Sequence, residues 1–206
     1  MKLNQKAIDR EQRIIKAINK LDRDRIHVLY FKYDLSFYNL YHNPLVLGTK
    51  LLSIFTRKPA IDHIGHISRF EYDRSKKHYR ASIFEASLEN GMTENDLVSR
   101  LRSMRGEVII ETLGRVDKEK ARKFEDDYRG VAYSTSGALF SGLDVIFLDK
   151  SKKKMEGGFC SWLEVLFLED QGYPIRLEGG NAAEVTPSDL YCLNIGKKRS
   201  FFKYNE

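Results

Sequence analysis

The sequence has few cysteines and no long apolar run, and both absences exclude classes of protein. Two cysteines in 206 residues cannot build the disulfide framework of a small secreted domain. Neither cysteine lies in a CxxC pair or in a cluster with histidines at zinc spacing, so we expect no metal and no cofactor. No apolar stretch reaches the roughly 18 residues that a membrane-spanning helix needs.

The N-terminal segment lacks the features of a secretory signal. MKLNQKAIDREQRIIKAINK contains neither an apolar core nor a small-residue cleavage site, so we expect a cytoplasmic protein. Packaging into a virion and release by lysis stay open. The net charge of +6 is compatible with contact to nucleic acid or an anionic membrane. Excess lysine also serves solubility, however, and no nucleic-acid-binding motif accompanies it.

The periodicity predicts one α+β domain over residues 26–206, preceded by an amphipathic helical appendage over residues 1–25. In the appendage, Ile8, Ile15 and Ile18 recur at helical spacing. We predict strands at IHVLYFKY, IDHIGHISRFEYD, YRASIFEASL, EVIIETL and GLDVIFL, the second and third forming a hairpin. PLVLGTKLLSIFTRK is predicted to be a strand followed by a short helix.

Three helix starts are predicted from capping residues. Thr93, with Asp96 three residues later, forms one capping pattern, and Asp117 is predicted to cap a helix that ends at Tyr128. Thr186 is the third cap, followed by Pro187 at the first helical position. We interpret Cys192 as a core residue of a terminal strand.

GGFCSWLEVLF, residues 157–167, places Cys160 where two glycines give way to an apolar run. We predict a buried helix that begins at Cys160. The N-terminus of a helix stabilises a thiolate, which is the reactive form of the side chain. Gly157 and Gly158 permit a sharp turn and would let a substrate approach. Cys160 is thus either a nucleophile or an inert apolar filler, because free cysteine is among the most buried residue types.

A nucleophilic thiol needs a base, and DHIGHIS offers His63 and His66 on opposite faces of one strand. Because Gly65 shares the face of His63 and leaves its imidazole open, His63 is the candidate base. His66 is more simply a surface histidine or a hydrogen-bonded one. Asp62 points away from His63 and is not expected to orient it.

Glu85 is the candidate for the third group, which would orient the imidazole. In SIFEAS it shares a face with Ile83 and Ser87, on the strand predicted to pair with that of His63. A buried carboxylate is costly without a partner, and an imidazolium would supply one. The alternative is a glutamate that faces solvent.

These segments together resemble the circularly permuted papain-like cysteine hydrolases, the permuted branch of the NlpC-type superfamily (YiiX-like proteins). The resemblance covers residues 40–193 and depends on the order of four segments, which are DHIGHI, IFEAS, FCSWLEVLF and EVTPSDLY. Relatives of lecithin retinol acyltransferase belong to the same group, but the Asn-Cys-Glu-His sequence of that branch is missing here. The N-terminal extension and residues 90–130 fall outside the pattern.

The resemblance implies a permuted papain-like fold, in which an antiparallel sheet or partial barrel packs against the cysteine helix. It also implies a catalytic triad of Cys160, His63 and Glu85. The expected activity is cleavage of an amide (peptide, isopeptide or cell-wall peptide) or of a lipid acyl ester through an acyl-enzyme. The alternatives are a non-catalytic binding module on the same scaffold and a basic protein that binds nucleic acid or a membrane surface. The latter would use the N-terminal helix, the lysine run at 150–154 and the tail GKKRSFFKY.

Overall fold

The computed structural model describes residues 2–36, 45–134, 158–175, 185–193, 195 and 198–204. The helices in this part of the chain are α1 (Lys2–Ile18), α2 (Leu45–Thr56), α3 (Leu97–Ser103), α4 (Lys118–Tyr128), α5 (Cys160–Asp170) and α6 (Pro187–Leu193). The strands are β1 (Arg25–Tyr33), β2 (His63–Asp73), β3 (His78–Ser87), β4 (Gly91–Asp96), β5 (Gly106–Arg115) and β6 (Lys198–Tyr204).

The strands form a single antiparallel sheet in the order β4-β3-β2-β1-β5-β6. The central strand β1 alternates its side chains between two apolar clusters: Val28 and Tyr30 lie in one, and Leu29 and Phe31 in the other. Because both faces of the sheet are covered, β1 is a nearly continuous apolar run rather than an alternating one.

Helices pack on the two faces of the sheet. The cluster on the first face combines residues of α4, α5 and α6 with β1 and β2, and it includes Leu163 and Phe167 of α5. The cluster on the second face combines α1 and α3 with the sheet through Ile14, Ile18 and Leu101. The predicted α+β class is confirmed, as is an antiparallel sheet packed against the helix that carries Cys160. The described strands form an open sheet, with β4 and β6 at its edges.

The N-terminal helix is shorter than predicted, and the apolar face that it buries agrees only in part with the predicted one. It ends at Ile18 rather than near residue 25, because the chain turns at residues 19–24 and enters β1 at Arg25. Ile14 and Ile18 are buried against the sheet, whereas Ile8 is exposed. The apolar face of α1 is therefore part of the same core as the sheet, and the division at residue 25 stays a prediction.

Other predicted elements require correction. Residues 45–56 are helical throughout, without the predicted strand. Asp96, not Thr93, caps α3, because β4 extends to Asp96 and the Asp96 carboxylate accepts from the Ser99 N–H at 2.8 Å. Cys192 lies exposed in α6 rather than in the core of a strand, since the terminal strand is β6.

The remaining caps and strands agree with the predictions. Asp117 caps α4, and Thr186 caps α6 through reciprocal bonds with Asp189. The hairpin of β2 and β3 is present, and β5 covers EVIIETL. The predicted strand GLDVIFL and the lysine run at 150–154 lie outside the described residues. In the part of the chain that is described, no helix has the length and apolar character to cross a membrane.

Candidate active site

The structure brings Cys160, His63 and Glu85 together. Cys160 is the first residue of α5 and His63 the first residue of β2, so the thiol and the imidazole meet where both elements begin. The His63 side chain is hydrogen-bonded to that of Cys160. His63 Nε2 lies 2.6 Å from Glu85 Oε2. Since Glu85 occupies Nε2, Nδ1 is the ring nitrogen left for the thiol.

The three side chains are nearly enclosed. Cys160 is 6% exposed, His63 7% and Glu85 1%. The ring of His63 also packs against Phe31, with 5.4 Å between the centroids. A tightly packed imidazole between a sulfur and a carboxylate cannot turn freely, which fixes its orientation toward the thiol.

Two opposing effects set the pKa values of His63 and Glu85: burial, and the charges and hydrogen bonds of their neighbours. Burial lowers the pKa of His63, but the hydrogen bonds and charges of Cys160 and Glu85 outweigh it and raise that pKa to about 10. Burial raises the pKa of Glu85, but Arg100 and His63 outweigh it and lower that pKa to about 2. The arrangement therefore favours an imidazolium between a carboxylate and the sulfur at neutral pH.

Glu85 is held by two further side chains that sequence reasoning missed. Arg100 Nε donates to Glu85 Oε1 at 2.8 Å and to Oε2 at 3.1 Å, and Asn95 Nδ2 donates to Oε1 at 3.0 Å. The guanidinium also donates from Nη2 to the Tyr33 hydroxyl at 2.6 Å. Both residues lie in the segment 90–130 that the family pattern does not cover. Sequence carries no local signal for them, because they reach Glu85 only through the β3–β4 pairing and the packing of α3.

The two glycines near the site have roles different from those expected. A Cβ on Gly65 would lie 2.8 Å from the Phe84 carbonyl oxygen and 3.0 Å from Glu85 Cβ, so the space beside His63 is occupied by β3. A Cβ on Gly158 would lie 2.3 Å from the Trp162 ring. Neither glycine opens the site to a substrate. Gly65 lets β3 bring Glu85 close to His63, and Gly157 lies outside the described residues.

The start of α5 presents backbone donors beside the thiol. Its N-cap residue, Phe159, is extended and makes no side-chain cap. The segment before it is fixed by Tyr133, which forms an isolated bridge with Gly158. Burial, together with the charges of Cys160 and Tyr33, raises the pKa of Tyr133, so its hydroxyl stays protonated in the field of the sulfur.

His66 belongs to a second buried cluster, on the opposite face from His63. Its Nδ1 lies 3.0 Å from Glu164 Oε2, and its Nε2 lies 3.4 Å from Glu125 Oε1. Its ring stacks on Phe167 at a centroid distance of 3.6 Å. Burial lowers the pKa of His66, but the two glutamates outweigh it and raise that pKa to about 9. His66 is thus a buried histidine that ties β2 to α4 and α5, through a hydrogen bond from Nδ1 to Glu164 and a charge contact, without a hydrogen bond, from Nε2 to Glu125.

Asp62 has its own partners, away from His63. Its Oδ2 accepts from Lys50 Nζ at 2.8 Å and from the Tyr33 N–H at 2.8 Å. Within the described residues, no group of three or more His, Cys, Asp or Glu side chains is arranged to hold a metal.

Comparisons of the chain with protein-family models, with curated proteins and with solved structures found no match. Interpretation of the site therefore depends on its own geometry.

Replacing Gly65 by alanine tests how closely β2 and β3 must approach. The added Cβ forces β2 away from the Phe84 carbonyl and Glu85, so we expect Gly65→Ala to lower the free energy of unfolding by about 1–3 kcal/mol. Urea denaturation measures this change. Gly48→Ala is the control, because a Cβ there meets nothing within 4 Å. Equal stability of the Gly65→Ala variant and the native chain would contradict this role.

The raised pKa of His66 predicts a loss of stability at alkaline pH. A histidine whose pKa is about 9 when folded, against about 6.5 when unfolded, stabilises fully below pH 6.5 and loses that contribution as pH rises through 9. His63 acts in the same direction up to pH 10. We expect urea denaturation of the native chain to show that the free energy of unfolding falls by a few kcal/mol between pH 6.5 and pH 9. Glu164→Gln removes a carboxylate that favours the imidazolium, so its free energy of unfolding should fall less over the same pH range. An identical fall in the variant and the native chain would contradict the role of the His66 cluster.

Proposed function

We propose that the protein is a thiol hydrolase that cleaves an amide or an ester through an acyl-enzyme on Cys160. The observation that carries the proposal is the continuous contact from the Cys160 thiol through the His63 ring to Glu85. An inert buried cysteine needs only apolar neighbours. Here the thiol meets an imidazole that a carboxylate and an arginine hold in place, as nucleophilic catalysis requires.

The first half-reaction forms the acyl-enzyme. The Cys160 thiolate attacks the carbonyl carbon, so a C–S bond forms and the carbonyl oxygen becomes an oxyanion. The C–N or C–O bond of the substrate then breaks, and the His63 imidazolium gives its proton to the leaving amine or alcohol. In the second half-reaction, His63 takes a proton from water while the water oxygen attacks the acyl carbon. The C–S bond breaks, and the acid product leaves with the thiolate restored.

The oxyanion would be stabilised at the N-terminus of α5. The Cys160 N–H lies in the first turn, where helical N–H groups have no intrahelical acceptor and the helix dipole favours negative charge. Tyr133 is a candidate second donor because its hydroxyl interacts electrostatically with Cys160. Glu85 and Arg100 act indirectly, by holding the ring of His63.

The resemblance to permuted papain-like hydrolases supports the same proposal. The histidine strand, the glutamate strand and the cysteine helix occur in that order along the chain and converge at one place. We therefore propose a permuted papain-like fold. The substrate classes that this implies are peptide, isopeptide or cell-wall peptide amides and lipid acyl esters.

Alkylation by iodoacetamide at pH 6 tests the nucleophile. An ordinary thiol, with a pKa of about 8.5, is almost wholly protonated at this pH, whereas a thiolate paired with an imidazolium reacts. We expect Cys160 to be labelled about tenfold faster than Cys192 or more, although Cys192 is the more exposed. Site-resolved mass spectrometry measures both rates in one sample, so Cys192 serves as an internal control.

Variants connect this reactivity to catalysis. His63→Gln should slow labelling of Cys160 at pH 6 without changing that of Cys192, and Cys160→Ala should abolish turnover of a panel of acyl esters and peptide amides. Faster labelling of Cys192 than of Cys160, or normal Cys160 reactivity in His63→Gln, would refute the hydrolase proposal and leave a binding module on the same scaffold.

A further inference from the structure

The helix α2 presents its apolar side chains outward. Leu47 and Leu51 are each 51% exposed, Ile54 is 71% exposed and Phe55 76% exposed. Their spacing of four, three and one residues places them on one face of the helix. A helix on a globular domain normally turns such a face toward the core. Among the α2 residues whose side chains are described, only Val46 is buried in the core.

The inward side of α2 is polar and fixes this orientation. Lys50 pairs with the buried Asp62 at 2.8 Å, and the Thr49 side chain hydrogen-bonds to the same carboxylate. Rolling α2 to bury its apolar face would remove these partners and leave the buried Asp62 carboxylate without a cationic partner, which is strongly unfavourable. The outward apolar face is therefore built into the fold, no described part of the chain covers it, and a face of this kind marks an interaction surface.

The basic residues near this face are only partly neutralised. The sequence from residue 35 to residue 61 contains no Asp or Glu. Lys50 forms the ion pair described above and Lys58 pairs with Asp189. Arg57, directly after the helix, is exposed, and the whole chain carries a net charge of +6. An apolar face beside an exposed arginine, on a chain of net positive charge, complements an anionic lipid surface. A second copy of the chain would bring the same positive charge to the contact.

We propose that α2 is a membrane-surface anchor, which inserts Leu47, Leu51, Ile54 and Phe55 into the interface of an anionic lipid bilayer. Its 12 residues measure about 18 Å, too short to span the hydrocarbon core, so it lies along the surface. The N-terminal amphipathic helix α1 cannot serve in this way, because its Ile14 and Ile18 are buried against the sheet. The anchor does not depend on the hydrolase activity.

Sedimentation with vesicles tests the anchor. The native chain should bind vesicles of 7:3 phosphatidylcholine and phosphatidylglycerol, and bind pure phosphatidylcholine more weakly. Ile54→Ser with Phe55→Ser should weaken binding to the anionic vesicles about tenfold or more. Because both side chains are exposed, the urea denaturation midpoint should stay unchanged. The matched control is Tyr72→Ser with Leu88→Ser, which removes two exposed apolar side chains elsewhere and should bind like the native chain.

Three outcomes would overturn the anchor. They are absence of binding by the native chain, binding by the Ile54→Ser, Phe55→Ser variant equal to that of the native chain, and a native dimer in light scattering that this variant abolishes. The last result would show that a second copy covers α2. Cys160→Ala should bind vesicles like the native chain. Vesicle binding therefore tests the anchor separately from the hydrolase proposal, which labelling and turnover test.

Discussion

The buried carboxylate of Glu85 is the constraint on which the candidate site depends. A fully buried charge is tolerated only when its oxygens are paired, and here three side chains surround it. Arg100 and Asn95 hold the carboxylate from one side, which leaves Oε2 directed at His63. The orientation of the imidazole toward the thiol follows from this arrangement. Removal of Arg100 would thus affect a sulfur that it does not touch.

The strand β2 organises two ionic clusters, one on each face. His63 joins Glu85 and Arg100 on the face covered by α3, while His66 joins Glu125 and Glu164 on the face covered by α4 and α5. Both clusters include contacts with α5, one at Cys160 and the other at Glu164 in its second turn. The second cluster therefore fixes the helix that carries the thiol, and the first fixes the ring that faces it.

Local patterns predicted the parts of the site that depend on local geometry. Alternation along a strand was enough to place His63 and His66 on different faces, and it identified Glu85 as an inward carboxylate on the paired strand. The start of α5 at Cys160 followed from the change from glycines to an apolar run. The convergence of the three residues was a hypothesis from the chemistry of a thiol nucleophile and from the family resemblance, since no local pattern links β2 to a helix about 100 residues later.

The features of the fold and the site that could not be predicted from the sequence depend on long-range contacts. Nothing near Arg100 or Asn95 indicates that they bind Glu85. Thr93 and Asp96 both suit a helix cap, and the choice between them was set by the pairing of β4 with β3 up to Asp96. The apolar residues of α2 favoured burial, but the ion pair of Lys50 with Asp62 turned that face outward. In each case an interaction with a distant residue outweighed a local preference.

The ionisation of His63 tests the central claim most directly. Nitrogen-15 NMR of the imidazole, titrated with pH in the native chain and in Cys160→Ala, would follow its protonation. We predict that the imidazolium persists in the native chain until pH approaches about 10, and that it loses its proton at lower pH without the sulfur. A native His63 that titrates near its ordinary pKa of about 6.5, unchanged in Cys160→Ala, would contradict the account.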